Sequence, residues 1–174
     1  MAFITSTDLW GDAEGLVVEN CVPVPFFLIS DSETGNVTID GVRASGIDAY
    51  KLVYADGMKD SEYGYTPTVR LAVSGAAFAE PRKVVGVTAH PAQVGDKVAV
   101  YNSGVVKVTL FSPTGMESNT VQAGKLLVPA SDGDPKSAPD LREGTGGLSY
   151  IDQIVGKAYQ SAASGDEFLM KLML

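Results

Sequence analysis

Short β-type segments, each bounded by glycine, asparagine, aspartate, serine or proline, run through most of the chain and constrain its fold more than any other feature. Stretches with the three- and four-residue spacing of an amphipathic helix are scarce. Apolar and β-branched runs between turn-forming residues are typical of strands. The sequence therefore predicts an all-β domain, a small barrel or sandwich, over residues 30–174.

The strongest strand signals include a pair that reads as a hairpin. Asn102–Gly104 connects two such runs, and its glycine suits the left-handed conformation that a three-residue connection requires. Near the C-terminus, Phe168, Met170, Leu172 and Leu174 share one face of a strand, which indicates a strand buried in a sheet. The predicted strands are Asn36–Asp40, Tyr50–Tyr54, Thr68–Val73, Lys83–Ala89, Lys97–Tyr101, Val105–Leu110 and Glu167–Leu174.

Two segments lack any regular period. The apolar residues of the first thirty positions do not recur with one spacing, so residues 1–29 are predicted to form an extended N-terminal arm. Residues 129–147 combine three prolines with several glycines and aspartates, which favours one long polar loop.

An internal repeat links two distant parts of the chain. Val85–Asp96 and Val155–Asp166 align without a gap, sharing Val-Gly at the start, an alanine at the eighth position and Gly-Asp at the end. Each copy reads as a strand whose glycine admits close backbone packing, a polar connection, and a Gly-Asp turn into the next strand. We expect the copies to form equivalent corners of one barrel or sandwich. Helix-like spacing in Ile151–Ala158 offers an alternative, but the repeat favours a strand there.

Charge is distributed unevenly. The chain carries a formal net charge of −8, which argues against nucleic acid as the main partner. Residues 1–42 contain seven acidic residues and no lysine or arginine. This charge either aids solubility or lets an acidic arm meet a basic partner surface. The candidate interface residues are Phe3, Asp8, Trp10, Asp12, Glu14, Phe26 and Phe27.

Membrane and export signals are not expected. The longest apolar run, Val22–Ile29, is interrupted by two prolines and is far shorter than the roughly 20 residues that span a bilayer. Met1–Gly15 lacks a basic start followed by an apolar stretch, so we expect no secretory signal and folding from a cytoplasmic pool.

Cysteine and histidine usage leaves little room for catalysis. Cys21 is the only cysteine and His90 the only histidine, which excludes an intrachain disulfide and any metal site needing two imidazoles. His90-Pro91 reads as a turn whose histidine is solvated or locally hydrogen-bonded. We expect no enzyme activity, no cofactor and no metal; a carboxylate-based hydrolase is the one chemistry left open.

Two loop features contain residue types found in ligand sites. Asp132, Asp134 and Asp140 could offer oxygens to Ca²⁺, but Pro135 and Pro139 interrupt the spacing of an EF-hand loop, so a solvated turn is favoured. Gly144–Gly147 lacks the spacing of a phosphate-binding loop and is interpreted as flexible.

Residues 82–174 resemble the small capsid decoration (cement) proteins of tailed bacteriophages. The resemblance is carried by VVGVTAHPAQVGDKVAVYNSGVVKV, VQAGKLLVPASDG and the final IVGKAYQSAASGDEFLMKLML. It implies a homotrimer on the outer surface of an icosahedral virion, where it binds the major capsid protein and itself and clamps neighbouring coat subunits. Other interpretations are a tail or fibre domain, and a carbohydrate-binding module that uses Tyr63, Tyr65 or Trp10.

Overall fold

The computed structural model describes residues 23–30, 35–61, 64–72, 84–112, 120–138 and 153–174. These residues form strands and no α-helix, which confirms the predicted all-β class. The strands are β1 (Pro23–Ile29), β2 (Gly35–Ile39), β3 (Val42–Ile47), β4 (Leu52–Ser61), β5 (Gly64–Leu71), β6 (Val84–Thr88), β7 (Ala92–Gln93), β8 (Lys97–Tyr101), β9 (Val105–Thr109), β10 (Thr120–Val121), β11 (Leu126–Pro129), β12 (Pro135–Ser137), β13 (Gly156–Ala158), β14 (Ala162–Ala163) and β15 (Glu167–Leu172), with a 3₁₀ turn at Ser131–Gly133. None of the described segments forms a helix long and apolar enough to cross a membrane.

The strands build two similar units in tandem. In unit 1, which comprises β1–β8, a closed barrel has the order β1-β5-β4-β6-β8. In unit 2, which comprises β9–β15, a sheet has the order β12-β11-β13-β15-β9. We pair β1 with β9, β4 with β11, β5 with β12, β6 with β13 and β8 with β15. With these replacements, the closed barrel opened between β1 and β5 has the same strand order as the sheet of unit 2.

Backbone hydrogen bonds repeat between the units. The Gly95 amide donates to the Ile29 carbonyl at 2.9 Å, and the Gly165 amide donates to the Leu110 carbonyl at 2.9 Å. The Ser30 amide donates to Val69 at 2.8 Å where β1 meets β5, and the Phe111 amide donates to Pro135 at 2.9 Å at the equivalent place. The two units are therefore copies of one architecture.

The internal repeat seen in the sequence marks the best preserved part of this duplication. β6, β7 and the start of β8 match β13, β14 and the start of β15 strand for strand. A Cβ atom at Gly86 would lie 2.1 Å from the Tyr101 carbonyl oxygen, and one at Gly156 would lie 2.5 Å from that of Lys171. The strand and close-packed glycine predictions are confirmed. The copies form equivalent corners of two sheets, the closed barrel and the five-stranded sheet, and not of one barrel.

The predicted hairpin also requires correction. Lys97–Tyr101 and Val105–Thr109 are strands, but β8 pairs with β1 and β6 whereas β9 pairs with β15. The connection at Asn102–Gly104 is thus the link between the two units. The local sequence pattern therefore predicts these two strands but does not predict which strands they pair with.

Two predicted boundaries shift as well. The predicted arm includes Pro23–Ile29, but this segment forms a barrel strand that pairs with β8 and β5. Residues 1–22 lie outside the described residues. Within the predicted loop 129–147, Pro135–Ser137 pairs with β11. Its remainder from residue 139 onward is not described.

Two buried clusters hold the molecule together. One fills the barrel of unit 1 and contains Ile29, Ile47, Val53, Val69, Leu71, Ala92, Val98 and Val100. The other is shared, since it joins Leu52, Tyr54, Val87 and Tyr101 of unit 1 with Val108, Leu127, Phe168 and Met170 of unit 2. The units therefore pack against each other through apolar side chains.

Candidate interaction surfaces

The predicted interface residues fall largely outside the described part of the chain. This applies to Phe3, Asp8, Trp10, Asp12 and Glu14. Phe26 lies in β1, and its side chain is not among those described. Phe27 is half-buried and packs against the barrel interior. Of the aromatic residues considered for sugar stacking, Tyr65 lies in β5, and Tyr63 and Trp10 are not described.

A long hairpin distinguishes unit 1 from unit 2. β4 and β5 stay paired from Val53 and Leu71 out to Ser61 and Gly64, whereas β6 pairs with β4 only as far as Tyr54. Lys59 and Asp60 are exposed, and Met58 is 66% exposed. In unit 2 the same connection is a tight turn, with Pro129 already paired to Pro135. The exposed hairpin is thus an addition to the shared architecture.

The base of this hairpin is fixed by buried polar groups. The register shifts at Asp56, between Ala55 and Gly57. The Ser30 hydroxyl donates to Asp56 Oδ2 at 2.5 Å, and Arg70 Nε lies 3.2 Å from Asp56 Oδ1. Arg70 is only 7% exposed, so its guanidinium is largely shielded from solvent beside the Asp56 carboxylate. These contacts join β1, β4 and β5, and they orient the hairpin relative to the barrel.

The turn of unit 2 that corresponds to this hairpin packs against unit 1. The Gly133 amide donates to the Ala72 carbonyl at 2.8 Å, and Lys51 Nζ lies 2.6 Å from Asp134 Oδ1. Burial raises the pKa of the Asp134 carboxyl, and the hydrogen bond from Lys51 opposes this effect. Asp134 therefore forms part of the contact between the two units.

The calcium interpretation of this segment finds no support in the geometry. Asp134 is engaged by Lys51, Asp132 is exposed, and Asp140 lies outside the described residues. Across the described ranges, no three carboxylate, imidazole or thiol groups come together as metal ligands. A cleft of about 320 Å³ does lie beside the turn, lined by Gly35, Asn36, Gly46, Asp48, Lys51, Leu71 and Asp132.

A second lysine also reaches between the units. The Nζ atom of Lys107, in β9, lies 2.8 Å from Glu167 Oε2. The same nitrogen is 5.2 Å from the centroid of the Tyr50 ring in unit 1. The hydrogen bond to Glu167 raises the pKa of Lys107. Its charge is thus stabilised next to an aromatic face.

His90 has a structural role in its turn. Its Nε2 accepts the Ala99 amide at 3.3 Å, which leaves Nδ1 to donate to the Pro91 carbonyl at 3.0 Å. The prediction of a locally hydrogen-bonded turn histidine is confirmed.

Sequence reasoning did not identify Asp56, Arg70, Lys51 or Asp134 as partners. Each pair joins residues on different strands or units, and no local pattern marks such a contact. The one available signal was the duplication, because aligning the two units shows where the β4–β5 connection exceeds its counterpart.

Comparison with known proteins adds the fold relationship. No protein-family model matches the chain, and no curated protein matches it in sequence. Among solved structures, the chain is similar to the N base of the head fiber gp8.5 of bacteriophage phi29, with a TM-score of 0.50 and 14% sequence identity. The alignment covers 86% of this chain and 92% of that chain. The chain therefore shares the fold of a phage head fiber base over most of the length of both.

Proposed function

We propose that the chain is a structural protein of a phage virion that attaches to the outer surface of the head by binding the major capsid protein. The observation that carries this proposal is the fold similarity to the base of a phage head fiber. The resemblance of the motifs in residues 82–174 to those of cement proteins also supports it. Both observations support a structural protein of a phage virion, and attachment to the outer surface of the head is the proposal made on that basis.

Within this role, we assign the chain to cementing, in which one molecule or a homotrimer bridges neighbouring coat subunits. Such a role requires rigidly held contact elements and no cofactor or catalytic group. The β4–β5 hairpin is our candidate for a coat contact. It is exposed along β4, it carries the apolar Met58, and the Asp56–Arg70 pair fixes its orientation.

Reconstitution on purified shells tests attachment. Shells assembled from coat protein alone are incubated with the purified chain, sedimented, and imaged by cryo-electron microscopy. Saturable co-sedimentation and ordered density on the outer surface are expected. Absence of density at saturating concentration would exclude attachment to the head.

A fibre base is the second candidate, and the same fold similarity favours it. The two roles differ in geometry and in mechanical effect. A cement protein contacts at least two coat subunits and raises the temperature at which shells open. A fibre base projects from a single attachment point and leaves that temperature unchanged, so a thermal release assay on decorated and bare shells separates the two roles.

A further inference from the structure

One row of outward-facing residues in unit 1 forms its contact with unit 2. Val87 of β6 pairs with Leu52 of β4 on one side and with Tyr101 of β8 on the other. These side chains are only 0%, 0% and 5% exposed, and they belong to the buried cluster shared by the units. This row of unit 1 is therefore apolar and is buried against unit 2.

The equivalent row in unit 2 has a different character. Lys157 of β13 pairs with Leu126 on one side and with Lys171 on the other, so two lysines replace Val87 and Tyr101. Both lysines are exposed. Nearby, Tyr159 occupies the position equivalent to the buried Ala89 and is 65% exposed. We call Lys157, Tyr159 and Lys171 the lysine face.

The lysine face carries an electrostatic cost that a partner would remove. Residues directly opposite in an antiparallel pair have Cβ atoms about 5 Å apart, and like charges there are destabilising. Lys157 and Lys171 are such a pair. An anionic partner offsets this repulsion, and the ring of Tyr159 supplies apolar area for the same contact.

The chain itself contains a segment with the complementary chemistry. The stretch before β1 holds four carboxylates, Asp8, Asp12, Glu14 and Glu19, and no basic residue. It also holds Trp10, the only tryptophan of the chain. Extended, its 22 residues reach up to about 75 Å, which is enough to span a neighbouring molecule.

We propose that residues 1–22 of one copy bind the lysine face of a neighbouring copy. The lysine face is exposed among the described residues, and an extended segment of this length can reach it from a second molecule. The contact joins two different surfaces and is heterologous. Its repetition generates a closed ring or an open chain, depending on the rotation between copies.

Charge reversal tests the contact on the full-length protein. Sedimentation velocity is measured for the wild type and for Lys157→Glu/Lys171→Glu at low and high salt. Reversal replaces two attractive ion pairs with repulsion, so we expect association about tenfold weaker. The double substitution keeps like charges opposite each other in β13 and β15. The repulsion between positions 157 and 171 within the fold therefore stays about the same.

A matched control has the same change in charge at another place. Arg43→Glu/Lys59→Glu alters two exposed cations on β3 and β4. This variant is expected to associate like the wild type. Equal weakening by both variants would mean that net charge alone governs association and would overturn the proposal.

Mixing two defective variants distinguishes exchange between copies from a contact within one chain. The second variant, Asp8→Lys/Asp12→Lys/Glu14→Lys, retains the lysine face and has an altered N-terminal segment. Each variant alone associates weakly, whereas a mixture pairs an intact segment with an intact face and regains association. A blue shift of Trp10 emission should accompany it. A wild type that stays monomeric at all concentrations, or a mixture that does not associate, would refute the proposal.

This inference does not depend on capsid attachment. Self-association is measured in solution, and binding to shells is measured separately. A chain that associates through the lysine face but never binds shells would refute only the proposed function.

Discussion

At the scale of single residues, two equivalent glycines hold the two units in the same geometry. A Cβ atom at Gly86 or at Gly156 would collide with a backbone carbonyl of the neighbouring strand, β8 or β15. Backbone cannot yield as a flexible side chain does. We expect Gly86→Ala and Gly156→Ala each to lower the free energy of unfolding by about 3 kcal/mol or more, as judged by urea denaturation.

Gly95→Ala is the control for this prediction. Gly95 has a positive φ of 86°, but no atom lies within 4 Å of the position of an added Cβ. Its substitution should cost only the backbone strain, about 1–2 kcal/mol. If all three variants lose the same stability, close packing at β6 and β13 is not what requires glycine.

Asp134 should make the stability of the protein depend on pH. Its pKa is raised in the folded state, mainly by burial, so the folded chain binds this proton more tightly than the unfolded chain. The contribution of Asp134 to stability is therefore greatest below the ordinary aspartate pKa and is lost as pH rises through the folded-state pKa. Relative to Asp134→Asn, the wild type should gain stability as pH falls from 7 through the carboxyl range.

Lys51→Met sharpens this test. The Lys51 hydrogen bond lowers the pKa of Asp134, so its removal should extend the stabilised range to higher pH. Parallel stability curves for the wild type and Asp134→Asn, measured by chemical denaturation between pH 3 and 7 (about the range in which carboxyls titrate), would contradict the assignment.

At the scale of strands and hairpins, the β4–β5 hairpin can be tested by using unit 2 as a template. Residues 56–68 are replaced by residues 130–134, which connect the equivalent strands in unit 2, and Arg70 is changed to Lys because Lys136 occupies its place there. The same architecture already closes with the short turn, so the variant should fold. If the hairpin contacts coat protein, the variant should lose occupancy on shells.

Circular dichroism and thermal unfolding establish whether that variant is folded, and Met58→Ser provides a milder version that leaves the backbone intact. Unchanged occupancy for a folded hairpin replacement would remove the hairpin from the coat contact. The outcome has no bearing on the lysine face, which lies in unit 2.

Local pattern identified several of the strands and failed for their partners. Lys97–Tyr101 and Val105–Thr109 were recognisable because alternation and a turn glycine are short-range signals. Their assignment to different sheets depends on β1, β6 and β15, which lie elsewhere in the chain. One signal was available and missed: Asp40-Gly41 connects β2 to β3 in a two-residue turn with positive φ at both positions.

The duplication shows the same limit at a longer range. Only the repeat at Val85–Asp96 and Val155–Asp166 was visible in sequence, because the close glycine and the Gly-Asp turn tolerate few substitutions. Elsewhere the strands keep their pairing while their side chains differ, as where Tyr101 of β8 corresponds to Lys171 of β15. Strand pairing gives the two units the same backbone geometry. Their side chains differ because the equivalent faces contact different surroundings.

At the scale of the whole molecule, the shared buried cluster should make the two units unfold together. Ile29 lies inside the barrel of unit 1, and Met170 lies on the interior face of unit 2; both are at most 1% exposed. Replacing either by alanine should cost about 2–5 kcal/mol. Because apolar side chains of both units meet in one cluster, each substitution should lower the midpoint of a single transition.

Differential scanning calorimetry checks this expectation through the ratio of the calorimetric to the van't Hoff enthalpy. A ratio near one in the wild type and in both variants indicates one cooperative unit. If Ile29→Ala and Met170→Ala instead each shift a different transition, the units are thermodynamically independent. The covered row of unit 1 would then contribute little to stability, and the apolar contact at Leu52, Val87 and Tyr101 would serve mainly to fix the orientation of unit 2.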